Sequence, residues 1–240
     1  MHRGQYVVEM GMLYNHSVID WGWVEKELFA KERIPEFCKS GPDETIRTAV
    51  ERCLKEAKAL ARPNSLSAVK RITAFDGDSV KMEGPISFSG KRLISYIKGA
   101  AHLHLFLVTV GGEIETEASN WMSKGEALYG YLLDRIGSLA VESLAEATEE
   151  ELHKVYLSKN ETVSMRLSPG YCDWPIEEQF VMAKALDFSK IGVALTEKCM
   201  MVPRKSISAM VGVGPKDVFS KMASQCMTCD SVACDYRRTS

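Results

Sequence analysis

The sequence predicts an α+β fold in a single domain, and three observations predict it. Apolar residues recur with a helical period in some segments and with a period of two in others, so helices and strands are both present. The two kinds of segment intermix without a regular β-α-β alternation, which argues against a doubly wound parallel sheet. A chain of 240 residues, 45% hydrophobic and 26% charged, has the composition of a soluble globular protein with one sizeable core. No internal repeat, low-complexity linker or composition break divides it.

The elements follow in order. Gln5–Leu13 alternates and reads as a strand. From Asp20 to Ala30, Trp21, Val24, Leu28 and Phe29 are spaced for a helix. Asp43 to Leu60 is a clearer helix: Ile46, Ala49, Val50, Cys53, Leu54 and Ala57 form one stripe, with Pro63 just beyond. "SAVKRITAF" is a strand, Asp76-Gly77 a turn and Val80–Met82 a short strand. Ser89–Ile97 has a helical pattern, and "HLHLFLVTVGG" is a β-rich run ending in two glycines. Helix then dominates from Ile114. Over 125–153 one 3.6-period stripe includes Leu128, Leu132, Ile136, Leu139, Ser143 and Ala147. A helix at about 176–186 and a strand in "SISAMVGVG" complete the reading.

A formal charge of −2 gives no electrostatic case for nucleic acid or an anionic membrane. No apolar run approaches a membrane span and no signal-peptide core opens the chain, so a cytoplasmic location is expected. The seven cysteines are odd in number, and in a reducing compartment they read as free thiols or metal ligands rather than a disulfide framework. No Ser/His/Asp set, P-loop or dinucleotide fingerprint is present.

The densest cluster of chemistry-bearing residues is "RLSPGYCDWP", residues 166–175. Arg166 offers a permanent planar fork of donors suited to a carboxylate. Pro169 fixes one torsion, and Gly170 permits a positive φ that lets backbone approach a ligand. Tyr171 adds a flat face with a hydroxyl. These suit a small zwitterion attached to a flat base. The same residues also describe a surface turn in which Arg166 pairs with a nearby acid and Tyr171 packs. Trp174 could wall the pocket or simply pack.

"RLSPGY" resembles the Arg-x-x-Pro-Gly-Tyr segment of the activation domain of cobalamin-dependent methionine synthase. "LAEATEEELHKVY" (144–156) resembles the helix that precedes that segment in the family, and "IGVALTEKCMMVPRKSISAMV" (191–211) resembles the stretch that follows it. The three blocks keep their order over roughly 125–220; the N-terminal third matches more weakly. The resemblance implies a twisted mixed or antiparallel sheet with helices, and a site for S-adenosylmethionine. In it Arg166 takes the methionyl carboxylate, Ser168, Pro169 and Gly170 contact the ligand mainly through backbone, and Tyr171 closes the motif. Glu146 lies near the ligand, where a carboxylate can favour a sulfonium or amino group. Read without the resemblance, Glu146 is one solvated acid among Glu142, Glu149, Glu150 and Glu151. Asp20 corresponds to an N-terminal aspartate that meets the ligand's amino group; its alternative role is a helix N-cap. A family tyrosine aligns with Phe219, so its hydroxyl is absent here.

The family's cobalt-binding Asp-x-His-x-x-Gly motif is missing around all five histidines. The resemblance therefore implies an activation module serving cobalamin on a separate corrinoid protein or methyltransferase. Its work would be reductive methylation, with electrons from a flavodoxin- or ferredoxin-like donor. The domain is expected over 1–225 and a cysteine-rich tail over 226–240. In the tail Cys226, Cys229 and Cys234 have ligand spacing, and Cys199 or Cys172 could complete a set for zinc or an iron–sulfur cluster. Free thiols are the alternative. A non-catalytic module that docks a corrinoid protein or binds metal is the competing function.

Overall fold

The structure, a computed structural model, describes residues 12–13, 18–34 and 44–219. Its centre is an antiparallel sheet whose strands run in the order β4 (Ser87–Ser89), β3 (Ser79–Met82), β2 (Asn64–Asp76), β5 (His102–Thr109), β9 (Ser206–Pro215) and β6 (Glu161–Val163), with β1 (Met12–Leu13) also paired to β2. A separate hairpin joins β7 (Ala194–Leu195) to β8 (Met201–Val202). The α+β expectation holds, and every pairing is antiparallel.

β5 explains why "LFLV" (105–108) is apolar at every position. It is a central strand in register with β2 on one side and β9 on the other, and both of its faces are covered. Phe106 and Val108 face one buried cluster; Leu103, Leu105 and Leu107 face another. Period-two alternation vanishes when neither face meets water.

The first cluster lies under α1 (Trp21–Lys31), α2 (Glu44–Leu60), α4 (Glu113–Ser123) and α5 (Ala127–Leu157). The expected α2 stripe is buried through Ala49, Val50, Cys53, Leu54 and Ala57. α5 is the long helix of the fold, 31 residues and about 46 Å. Its stripe is buried from Leu132 through Leu144, while Leu128, at the open end, is exposed. The second cluster lies under α3 (Lys91–Ile97), α6 (Gln179–Leu186) and the 3₁₀ turn Phe188–Ile191. Gly212 on β9 lets α3 come close: a Cβ there would meet Ile97 and Ala100 at 3.2 Å.

Some boundaries differ from the sequence reading. Ser89 ends β4 rather than opening a helix, because its hydroxyl and N–H are bound by Glu178, and α3 begins at Lys91. The short strands β4, β6, β7 and β8 carry too few residues to show a period. Of the strand expected over Gln5–Leu13, only Met12 and Leu13 fall among the described residues. No helix among the described residues is long and apolar enough to cross a membrane.

Candidate functional site

The segment from Glu161 to Leu167 runs along the outer edge of β9. β6 pairs Val163 with Val213, and an isolated bridge pairs Leu167 with Met210. Between them the ladder is carried by Ser164: its N–H donates to the Gly212 carbonyl, and its hydroxyl accepts the Gly212 N–H at 2.8 Å. This edge lies beside the C-terminal half of α5, and Arg166 bridges the two.

Arg166 is only 13% exposed at its side chain. Its Nη2 donates to Glu142, and its Nε lies 3.7 Å from Oε2 of Glu149. The other oxygen of Glu149 accepts the main-chain N–H of Arg166 at 3.2 Å. Burial alone would weaken the guanidinium's charge; the carboxylates of Glu142 and Glu149, with a smaller contribution from Glu146, reverse that and hold its pKa above the ordinary arginine value. Glu142, Glu146 and Glu149 are spaced i, i+4, i+7, so they share one face of α5. One guanidinium thus contacts two carboxylates, and the third, Glu146, acts on it through longer-range electrostatics.

The turn that follows has the expected geometry. Tyr171 N–H donates to the Ser168 carbonyl, Pro169 occupies the second position and Gly170, at φ +89°, the third. This is a type II turn, whose third position needs a positive φ. Pro169 is buried, whereas Tyr171 is 58% exposed. Leu167, Ser168 and Tyr171 share a small cleft with Leu93, Tyr96, Cys172 and Trp174.

Both feet of the turn are fixed, the first by the Leu167–Met210 bridge and the second by Asp173 and Trp174. Asp173 accepts the N–H groups of Arg92 and Leu93 at the start of α3. Trp174 is buried, stacks edge-on against Phe88 at 5.1 Å and donates its indole N–H to Glu178 at 2.6 Å. Trp174 therefore both packs and lines the cleft.

Asp20 caps α1, its carboxylate accepting the N–H groups of Gly22 and Trp23. Its own N–H donates to the Ser143 hydroxyl at 2.9 Å, which seats the start of α1 against α5 beside Glu142. Asp20, through its main-chain N–H on Ser143, and Arg166, through Glu142 and Glu149, therefore both meet the stretch of α5 that carries Glu146. From the sequence Glu142 and Glu149 look like solvated acids and Glu146 like the site residue, yet it is Glu142 and Glu149 that contact the arginine. Their i, i+7 spacing with Glu146 midway was the available signal.

Among the described residues the thiols are not brought together. Cys172 is exposed in the turn, and Cys199 is buried at φ +61° in the β7–β8 connection. Cys226, Cys229 and Cys234 lie outside the described residues, and among the described residues no group of three or more His, Cys, Asp or Glu side chains could hold a metal. Phe219 packs against the second core cluster.

Comparisons with known proteins agree with this architecture. A crystal structure of the MetH reactivation domain bound to AdoHcy superposes with a TM-score of 0.66 at 17% identity, covering 92% of this chain and 82% of that one. No curated protein matches the sequence. The family model for the activation domain of vitamin B12 dependent methionine synthase matches residues 93–232, well over half of the chain and the whole of the α5–Arg166 assembly. By that match the chain belongs to the activation-domain family of vitamin B12-dependent methionine synthase.

Proposed function

We propose that the chain binds S-adenosylmethionine where α5 meets the Arg166–Tyr171 turn and presents its methyl group to a corrinoid carried by a separate protein. The observation that carries this reading is that Arg166 and the main chain of Asp20 both meet the stretch of α5 that carries Glu146. Arg166 binds the methionyl carboxylate, for which the guanidinium fork is the matching donor. The acidic face of α5 favours the ligand's ammonium and sulfonium charges. The Ser168–Gly170 turn meets the nucleoside through the backbone groups it does not use internally, the Ser168 carbonyl and the Gly170 N–H being taken by Tyr171 and Trp174, and Tyr171 covers it from the solvent side.

The corrinoid would supply the nucleophile, a reduced cobalt centre. The chain's own residues supply position: the sulfonium methyl is held facing outward at an exposed rim, and after transfer the ligand leaves as a neutral thioether. No side chain has to act as acid or base, because the methyl carries no proton to be moved. A cluster or zinc in the cysteine tail would be an addition to this scheme; metal analysis of protein purified without oxygen tests it directly.

The ion pairs of Arg166 support a second reading. With Glu142 and Glu149 already on the guanidinium, Arg166 could serve as a structural tie between α5 and the β9 edge, in a module that docks a corrinoid protein without binding nucleoside. Calorimetry with S-adenosylmethionine separates the two. Binding that weakens by tenfold or more in Arg166→Ala, about the effect of losing a hydrogen bond to a charged group, supports the first. No binding to the unaltered chain sinks it, and binding that survives Arg166→Ala shows that the carboxylate sits elsewhere.

A further inference from the structure

We infer that Glu149 is a positioning residue for the ligand: it aims Arg166 and does not touch the ligand itself. This rests on the binding reading above and goes beyond it in assigning a role to a residue that neither the motif nor the convergence of segments identified.

The argument is geometric. One carboxylate engages Arg166 twice, at its main-chain N–H through Oε1 and at its guanidinium Nε through Oε2. The main-chain hydrogen bond fixes where the residue starts; the ion pair at Nε, 3.7 Å long, biases which way the head points. Arginine has a long side chain with many rotamers, so an unsupported guanidinium loses much freedom when it captures a carboxylate. With its main-chain N–H bonded to Glu149 and its guanidinium facing the same carboxylate at 3.7 Å, Arg166 has lost part of that freedom before a ligand arrives. Glu142 is placed differently. It takes Nη2, a terminal donor of the fork and the position at which an incoming carboxylate would exchange with it. Glu149 occupies the inner edge and can stay while the outer edge changes partner.

Glu149 is also supported from behind. It sits one turn past Glu146 on a helix whose neighbouring positions, Ala145, Thr148 and Leu152, are buried. Its carboxylate is therefore carried on a rigid element rather than a loop, which a positioning role requires.

Calorimetry with two probes tests this. S-adenosylmethionine carries the carboxylate that Arg166 would hold; 5′-methylthioadenosine is the same nucleoside without the amino-acid portion. For Glu149→Gln we expect S-adenosylmethionine to bind about fivefold more weakly, a fraction of the effect of losing a charge-assisted contact outright, while 5′-methylthioadenosine binds as to the unaltered chain. Glu149→Asp, which keeps the charge but shortens the reach, should give the same pattern, and it covers the case in which the glutamine variant does not fold. In an Arg166→Ala background, the Glu149 substitution should cost nothing further.

An equal loss for both probes would overturn the proposal, since it would mark Glu149 as a general support for the site. Unchanged S-adenosylmethionine affinity in both Glu149 variants would overturn it as well. Failure of the unaltered chain to bind S-adenosylmethionine overturns the binding reading and this inference together, and no Glu149 variant is needed to see it.

Discussion

α5 carries two arginine contacts built to one pattern, and they differ in depth. Near its N-terminal half, Arg204 stands just before β9. Glu115 of α4 accepts its main-chain N–H at 3.0 Å and lies 3.4 Å from its Nε, and Asp134 of α5 lies 3.8 Å from Nη2. Near its C-terminal half, Glu149 and Glu142 do the same for Arg166. Arg204 is 53% exposed and Arg166 13%. Beside Arg204, the buried Lys205 takes the strong contacts, with Asp134 at 2.8 Å and Ser138 at 2.9 Å. At the first location the buried cation is matched by one acid and a hydroxyl, with nothing left over. At the second, acids outnumber the cation, and an exposed turn adjoins them. Balanced charge in the interior reads as a fastening. An acidic surplus beside a turn that lines a cleft is what the binding proposed above would use.

The largest expected effect concerns a buried polar group outside both locations and sets a baseline for them. His104 on β5 is 1% exposed, shares a hydrogen bond with the Tyr156 hydroxyl at 2.9 Å, and its Nε2 has no partner among the described residues. Burial pushes its pKa down from 6.5 to about 4. The unfolded chain therefore takes up a proton that the folded chain refuses, and stability falls as pH drops from about 6.5 towards 4, by about 3 kcal/mol in all. Urea unfolding across that range should show the slope, and His104→Gln should flatten it. A slope unchanged in that variant would place the acid sensitivity in the carboxylates around the two arginines instead.

Next in size is Lys205→Met, which leaves Asp134 without its short contact and should lower stability by about 2 kcal/mol. Affinity for S-adenosylmethionine should not move; if it does, the two ends of α5 are not separate and the comparison fails. Arg166→Ala should reverse the pattern. Ligand affinity falls tenfold or more, while thermal unfolding shifts by about 1 kcal/mol, because Glu142 and Glu149 keep partial access to water. Gly170→Ala places a side chain at φ +89° and brings its Cβ to 3.0 Å from Ile176. A cost of about 1 kcal/mol is expected, read as weaker ligand binding with a small loss of stability. The smallest effect should come from Arg204→Ala, within about 0.5 kcal/mol by urea unfolding and with no change in affinity, as for exposed ion pairs in general.

The sequence revealed the fold well where one period ran long enough. The α2 and α5 stripes, the two-sided β5 and the strand at 206–215 were all legible, because burial on one face or two leaves a repeating mark. β4, β6, β7 and β8 were not legible: two or three residues cannot show a period, and their pairing depends on distant strands. The site divides along the same line. The Pro-Gly turn could be read because its torsions demand those residue types. The roles of Glu142 and Glu149 could not, because a helix acid looks the same in the sequence whether it faces water or an arginine that arrives from 17 to 24 residues further on. Asp20 is open between two roles in the sequence; the structure shows the cap and bonds its main-chain N–H to Ser143 of α5.

The bracing of residues 167–174 has a consequence for how any guest is received there. The entrance is stitched to Met210, and the exit is tied through Asp173 to α3 and through Trp174 and Glu178 to β4. A hairpin bend restrained at both margins has few torsions left to freeze, so association should be fast, with little thermodynamic sign of local ordering.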